Sequence, residues 1–461
     1  MNPLRLFHFD IPTYGNYGDT LLFEAVRQTF EGFGGRDRFD VYDTRPLRDA
    51  VGPRLVDMIN AEADAVVVGG GGLFLSDTNP NRRSGWQWNI SVDQLRRLEK
   101  PLIVFAVGNN RFYGQPDFAD PFREHLALTV EKSVFFGLRN LGSVRTIREY
   151  LPPSLRDRVV YQPCPTTIAS HLFPDLADTP VAPGRTIAVQ SIVGKRQLRA
   201  GFDADAIYAA QARVLARLAG EGWDLRSVPF SRADLRFGEV LAEHGVDAPE
   251  TRLFAVRDAM FRGLEVLRES PTFLGTRGHA QMVPFGVGAV PVSLDVHPKT
   301  GYFASDLGHP EWALDPRDAG FEETLYRTLH DVDDRADELR AELAATRERL
   351  YRLTLDNVAG IHSALGGAPA QPTHVAFTPP ERRLALRAFR AAADRSASEG
   401  ALRGARSELA TARAQAAVGP QPAPAPATSV RRPAAPAAPS SEPAPTFLVR
   451  ATRKARRTLV R

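Results

Sequence analysis

The run Asp64-Ala-Val-Val-Val68 passes straight into Gly69-Gly-Gly-Gly72. β-branched side chains are stiff and favour strands, and a run without polar alternation is buried on both faces. Such strands belong to parallel sheets covered by helices, so this one segment already argues for an α/β architecture. The pattern recurs. Leu4–Phe9 is a short apolar strand, followed by the loop Thr13-Tyr-Gly-Asn-Tyr-Gly-Asp19 and a helical pattern over Thr20–Phe30, with Asp19 placed as its N-cap. Pro101–Val107 ends in Gly108-Asn-Asn110, and Ser133–Leu138 leads into Arg139-Asn-Leu-Gly-Ser143, which opens a helix. A Pro- and Asp-rich crossover at 174–185 precedes a second series. It comprises Thr186–Gln190, a helix near Asp205–Gly220, Leu225–Phe230, a helix near Met260–Arg268, Thr272–Leu274 and Ala289–Leu294. The expectation is two doubly wound α/β domains, 1–180 and 181–330, with a ligand cleft between them.

The chain has 461 residues, too many for one core, and its remainder is of different character. Asp333–Ile361 reads as one long helix (331–366 with its flanks), whose Leu339, Leu343, Leu350 and Leu353 are expected to pack on the body. Residues 367–461 read as an Ala/Pro/Arg-rich low-complexity tail, in which 380–418 can form a solvated helix and 419–446 are expected to be disordered or extended. In Phe447–Arg461, Leu448, Ala451, Ala455 and Leu459 share one helical face, with the cations mostly off it. Two readings stay open there, a solvated basic tail and an anchor on an anionic membrane surface.

Several classes are disfavoured. A net charge of +4 is too small for a nucleic-acid binder of this length. A single cysteine, Cys164, allows no intramolecular disulfide and no cysteine metal cluster. The N-terminus lacks a signal-peptide pattern, and no segment reaches the roughly 20 apolar residues needed to span a bilayer. The expected location is the cytoplasm, peripheral at the inner membrane face if the tail binds there. Neither HExxH nor GxSxG occurs, and Gly69–Gly72 is neither a dinucleotide fingerprint nor a P-loop. No metal is expected.

The candidate chemistry lies at strand exits. Arg277 and His279 stand two residues apart after an apolar run ending near Leu274, and His297-Pro-Lys299 follows the next run as a second basic pair. A fixed cation beside a titratable imidazole suits binding an anion and moving a proton on it. Arg139 leaves a buried strand and therefore needs a partner, either a structural carboxylate or a substrate carboxylate or phosphate. Gly70, Gly71 and Gly72 allow close backbone approach to a ligand, and would bind an anion if a helix follows. Asn16 and Asp19 lie where a helix N-terminus faces the crevice. Cys164, between two prolines, reads as structural.

Asn16-Tyr-Gly-Asp19, Val68-Gly-Gly-Gly-Gly-Leu-Phe74, Gly137-Leu-Arg-Asn140, Thr276-Arg-Gly-His-Ala280, Gly288-Ala-Val-Pro-Val292 and His297-Pro-Lys299 together resemble the polysaccharide pyruvyltransferases over roughly residues 1–320. The resemblance implies a glycosyltransferase-B-like fold of two Rossmann-like domains, with the acceptor on the N-terminal side and the donor on the C-terminal side. It implies transfer of pyruvyl from phosphoenolpyruvate to a sugar of a surface polysaccharide or its lipid-linked precursor, forming a cyclic ketal without a cofactor. It further implies His279 as the proton-transfer residue, with Arg277, Arg139 and Lys299 on the donor. The family pattern usually reads Arg-Leu-His where this chain has Arg277-Gly278-His279. Two rivals remain at this stage, a nucleotide-sugar glycosyltransferase on the same scaffold and a non-catalytic glycan-assembly protein.

Overall fold

The computed structural model describes residues 2–11, 15–75, 83–176, 185–255 and 260–384. The tail readings on 385–461, including the basic amphipathic end, fall outside these residues. Seven strands come first: β1 Leu4–Asp10, β2 Phe39–Pro46, β3 Ala65–Val68, β4 Gly71–Phe74, β5 Leu102–Asn109, β6 Ser133–Leu138 and β7 Val159–Tyr161. They form one parallel sheet in the order β2-β1-β3-β5-β6-β7, with β4 also paired to β5. Five more follow: β8 Thr186–Gln190, β9 Asp224–Ser227, β10 Thr272–Gly275, β11 Val290–Leu294 and β12 Ala313–Leu314. These make a second parallel sheet in the order β12-β11-β10-β8-β9. The expected α/β class with two parallel sheets is therefore observed, and both sheets belong to one compact unit.

The strand sequences explain the burial. In the first sheet Leu6, Ala65, Val67, Ile103 and Phe105 face one core, while Phe7, Phe9, Val66, Val68, Leu102 and Val104 face another. The alternation has the period of two that a strand imposes, and both faces are apolar because helices cover both. The first of these cores continues into the second sheet through Ile187, Val189, Phe273, Leu274, Val290 and Val292.

Each sheet reverses its strand order once, between β1 and β3 in the first and between β8 and β10 in the second. Open α/β sheets bind ligands outside the carboxyl ends of strands at such switch points. Every residue of the site described below comes from these ends or the loops that leave them.

Three sequence expectations change. The first helix spans Tyr17–Glu31, so it begins three residues earlier than the apolar pattern suggested, and Asn16 rather than Asp19 is its N-cap. The Asn16 side chain accepts from the Gly18 amide, and Asp19 stands in the first turn. The glycine run is followed by a strand, not a helix. β3 and β4 lie along the same edge of β5 as two halves of one strand, interrupted at Gly69–Gly70. Gly69 at φ +136° and Gly71 at φ +108° occupy backbone space that favours glycine. The anion-binding helix N-terminus imagined there does not exist. Finally, the long helix is observed as Ala336–Ala364, three residues displaced at each end, and a separate helix that was not expected, Phe321–Asp334, precedes it with Arg335 between them. Leu339, Leu343 and Leu350 of the long helix are buried, whereas Leu353 is only partly so.

Residues just beyond the long helix pack closely on the first domain. Gly34 donates to Thr373 and Val375 to Gly32 through backbone bonds. Arg382, buried, pairs with Asp175. Among the described residues no helix is long and apolar enough to cross a membrane.

Candidate active site

A cavity of about 210 Å³ opens where the carboxyl ends of the two sheets meet. From the first sheet come Asn16, Asp19, Gly72, Asn110 and Arg139, and from the second Arg277, Gly278, His279 and Lys299. Sequence motifs up to 283 residues apart, Asn16 and Lys299 at the extremes, thus share one wall, because two switch points face each other. Gly70 and Gly71 do not line the cavity. Gly70 is packed beneath Leu22 and the Ala106 carbonyl, and only Gly72 emerges, where a Cβ would lie 2.7 Å from Asn110.

Arg139 leaves β6 and is only 3% exposed. Its Nε has no hydrogen-bond partner, and among the described residues no carboxylate pairs with it. A Cβ at Gly108 would overlap this guanidinium, so the glycine at the end of β5 clears its path. Burial pulls the Arg139 pKa below the ordinary arginine value. An arginine still carries its charge under such conditions. A structural carboxylate was one of the two partners left open by the sequence, and none of the described residues supplies it.

Arg277 has such a carboxylate. Its Nε lies 3.1 Å from both oxygens of Asp234, and its Nη2 bonds Asp234 Oδ1 at 2.5 Å and Ser231 Oγ at 2.7 Å. Both hydrogens of Nη2 are engaged, leaving Nη1 as the end open to a ligand. Asp234 thus occupies the Nε–Nη2 edge of the Arg277 guanidinium.

Lys299 sits in the first turn of the Pro298–Asp306 helix and donates from Nζ to Asn110 Oδ1 at 3.0 Å. Burial, then repulsion from Arg139 and Arg277, brings its pKa down to about 7. His297 does not add a second charge. It is the helix N-cap, accepting from the Lys299 amide at 3.1 Å, and burial holds it well below the ordinary histidine value. A Cβ at Gly278 would stand 3.4 Å from the Lys299 stem, in ordinary van der Waals contact with it.

His279 begins the helix His279–Val287 and is buried between two partners. Its Nδ1 lies 3.5 Å from Asp19 Oδ1, and its Nε2 lies 4.0 Å from Cys164 Sγ. Burial works against the imidazolium, but Asp19 and Cys164 outweigh it and the pKa rises. Asp19 is oriented from its other oxygen by Asn16 Nδ2 at 2.9 Å. For Asp19, too, burial opposes the charge, and His279 with the nearby cations Arg277 and Lys299 reverses that and lowers its pKa. The Asn16-Tyr-Gly-Asp19 and Arg277-Gly-His279 motifs are thus one unit joined across the two sheets.

Gly18 is the point of closest approach in that unit, where an added Cβ would overlap the His279 Cβ, Cγ and Nδ1. Gly18→Ala is a useful test because two effects oppose each other. Helix propensity favours alanine by about 1 kcal/mol, while overpacking costs about 1–3 kcal/mol. The variant should melt below the wild type and lose turnover as His279 is displaced from Asp19. Higher thermal stability with full activity would show that the contact is dispensable.

Sequence reasoning missed Arg48, Gln87, Phe112 and Arg196, all of which line the cavity. Arg48 follows β2, a strand that the sequence reading did not find. Arg196 is on the short Lys195–Arg199 helix, its guanidinium carbon 5.1 Å from the Phe112 ring centre. Asn110 was legible only as the polar end of a strand. Among the described residues no group of histidine, cysteine, aspartate and glutamate side chains is arranged to hold a metal ion.

Two parallel α/β sheets with a cation-lined cavity at their switch points define a two-sheet, doubly wound α/β protein. Within that class, the chain matches the polysaccharide pyruvyl transferase family over residues 16–295. It belongs to that family and is by that membership a transferase. No curated protein sequence matches it. Solved structures similar to it include UDP-GlcNAc 2-epimerase from Neisseria meningitidis bound to UDP-GlcNAc, at 10% identity and TM-score 0.41, covering 74% of this chain and 94% of that one. UDP-N-acetylglucosamine 2-epimerase from Rickettsia bellii aligns at 12% identity and TM-score 0.43, covering 77% and 97%. A UDP-forming α,α-trehalose-phosphate synthase from Burkholderia xenovorans, in complex with glucose-6-phosphate, aligns at 11% identity and TM-score 0.40, covering 68% and 76%. Likenesses this distant have no bearing on what this chain binds.

Proposed function

We propose that the cavity binds phosphoenolpyruvate and that the protein transfers its pyruvyl group to two hydroxyls of a polysaccharide sugar or its lipid-linked precursor, giving a cyclic ketal. The observation that carries this reading is Arg139, a buried guanidinium that faces the cavity with no carboxylate of its own. A buried unpaired charge costs several kcal/mol unless a ligand neutralises it. Phosphoenolpyruvate, with a carboxylate and a phosphate on three carbons, supplies two anionic groups for Arg139, Lys299 and the free Nη1 of Arg277. Family membership points to the same substrate class.

The chemistry needs one proton on the methylene carbon, which becomes the methyl group. His279, whose pKa is raised by Asp19 and Cys164 against the effect of burial, is the residue assigned to give it. The first sugar hydroxyl then bonds to C2, the C2–O bond to phosphate breaks, and the second hydroxyl closes the ring. Of the two hydroxyl protons, one restores His279 and the other leaves with phosphate, so the sum is phosphoenolpyruvate plus diol giving ketal plus inorganic phosphate. Asp19, with its side chain 30% exposed, is the carboxylate positioned to receive a hydroxyl proton on the way. Positioned proton transfer of this kind is worth about 10²–10⁴-fold.

The decisive experiment incubates the protein with phosphoenolpyruvate and candidate glycans. Phosphate release together with a pyruvyl mass gain on the glycan supports the proposal. Binding of a nucleotide-sugar in place of phosphoenolpyruvate, with glycosyl transfer, overturns it.

The lysine makes a pH prediction. In the empty cavity Lys299 loses its proton through about pH 7, and an anion beside it raises that pKa. Binding above pH 7 therefore takes up a proton, and affinity for phosphoenolpyruvate should weaken as pH rises, approaching about tenfold per pH unit for one linked proton. Lys299→Met should bind more weakly at pH 6.5 and lose most of this slope. Calorimetric titration from pH 6 to 9 checks it. A wild-type affinity that is flat over that range would remove Lys299 from the site.

A further inference from the structure

We infer that Asp234 is the positioning residue of the donor site, acting through Arg277 and tying its placement to that of Asp19. The inference rests on the phosphoenolpyruvate reading given above. Asp234 is far from Arg277 in sequence and its side chain is 1% exposed. It does not line the cavity, so any effect on the ligand passes through another residue.

Its bonding explains how. Oδ2 accepts from the amides of Phe230 at 2.9 Å and Ser231 at 3.2 Å, and Oδ1 accepts from Ser231 Oγ at 2.9 Å. The same two oxygens hold Arg277 through Nε and Nη2. One carboxylate thereby folds the loop after β9 and fixes the rotation of the guanidinium. A carboxylate can accept about four such bonds, so Asp234 is saturated. The loop it folds also carries the other half of the site. Tyr17 donates its amide to the Phe230 carbonyl at 2.9 Å, and Asn16 pairs with Ser231 as an isolated antiparallel bridge. Asn16 in turn orients Asp19. Asp234 therefore sets two distances at once, from Nη1 of Arg277 to the ligand and from Asp19 to His279.

A second consequence concerns the division of labour between the two arginines. With its fork on Asp234, Arg277 presents one edge of its guanidinium, suited to a single anionic oxygen. Arg139 keeps its whole fork and is the one able to grip a planar carboxylate with two bonds.

The test is a double-mutant cycle read as KM for phosphoenolpyruvate and kcat in the phosphate-release assay, on the full chain. Asp234→Asn should raise KM by roughly 10- to 100-fold, the scale of one or two charge-assisted hydrogen bonds, with a smaller fall in kcat. The decisive comparison is in the Arg277→Ala background, where adding Asp234→Asn should raise KM by no more than about twofold, because residues acting as a unit are non-additive. Ser231→Ala removes one bond to each partner and leaves the carboxylate in place. It should raise KM to a smaller extent and again have little effect once Arg277 is gone. That milder variant carries the test if Asp234→Asn does not fold. Additive effects on KM, or a loss confined to thermal stability with KM unchanged, overturn the proposal. A wild type that neither binds phosphoenolpyruvate nor releases phosphate from it instead overturns the functional reading on which the proposal rests.

Discussion

His279→Ala should release phosphate from phosphoenolpyruvate about 10²–10⁴-fold more slowly than the wild type while binding it with nearly unchanged affinity. The expected split follows from the geometry. The anion contacts are assigned to Arg139, Lys299 and Nη1 of Arg277, none of which bonds His279. The imidazole instead sits between Asp19 and Cys164, and the role proposed for it is proton delivery, not donor binding. Loss of the ring also leaves Asp19 without its ion partner, and the acid limb of the pH profile should move upward as the carboxylate loses a stabilising cation. Single-turnover phosphate release and isothermal titration measure the two parts separately. An unchanged rate would remove His279 from the chemistry, and lost binding with an unchanged rate at saturation would make it a ligand contact.

Arg139→Met should do something less usual: make the empty protein more stable and abolish binding. The guanidinium is buried with an orphaned Nε and no carboxylate. Replacing buried ionic groups by apolar ones of similar length is often neutral or stabilising by about 1–4 kcal/mol. A ligand present at a hundred times its Kd stabilises a protein by about 2.7 kcal/mol. Phosphoenolpyruvate should therefore raise the melting temperature of the wild type and not that of the variant, whose own baseline is higher. The balance is one in which stability gives way to function at a binding site. A destabilised variant with an intact ligand shift would mean that Arg139 has a structural partner and no role on the anion.

Much of this molecule was legible from its residues. β6 and β8 were read at their observed bounds, and β1, β3, β5, β10 and β11 were found within two residues at each end, because apolar runs buried on both faces have few alternatives. β2, Phe39-Asp-Val-Tyr-Asp-Thr-Arg-Pro46, escaped because its alternating polar residues lack that signature. With it went Arg48, the cavity residue just beyond it. Asp19 was taken for the cap since aspartate before an apolar run is a strong signal, yet Asn16 three residues earlier satisfies the same rule and the backbone chose it. The glycine run was read as a ligand loop, but its job at Gly69–Gly71 is to interrupt one strand in the sheet, and only Gly72 reaches the cavity.

The one-dimensional chain determined the α/β alternation, the family and five ionisable residues that line the cavity, Asp19, Arg139, Arg277, His279 and Lys299, because side-chain period and strand-exit chemistry are local properties. Pairing was decided only in three dimensions. That Asp234 occupies the fork of Arg277, that Arg139 is left without a carboxylate, and that Gly18 makes room for His279 depend on which loops the two switch points bring together. Electrostatic fate is set by neighbours a few ångströms away in space, and those neighbours lie tens to hundreds of residues away along the chain.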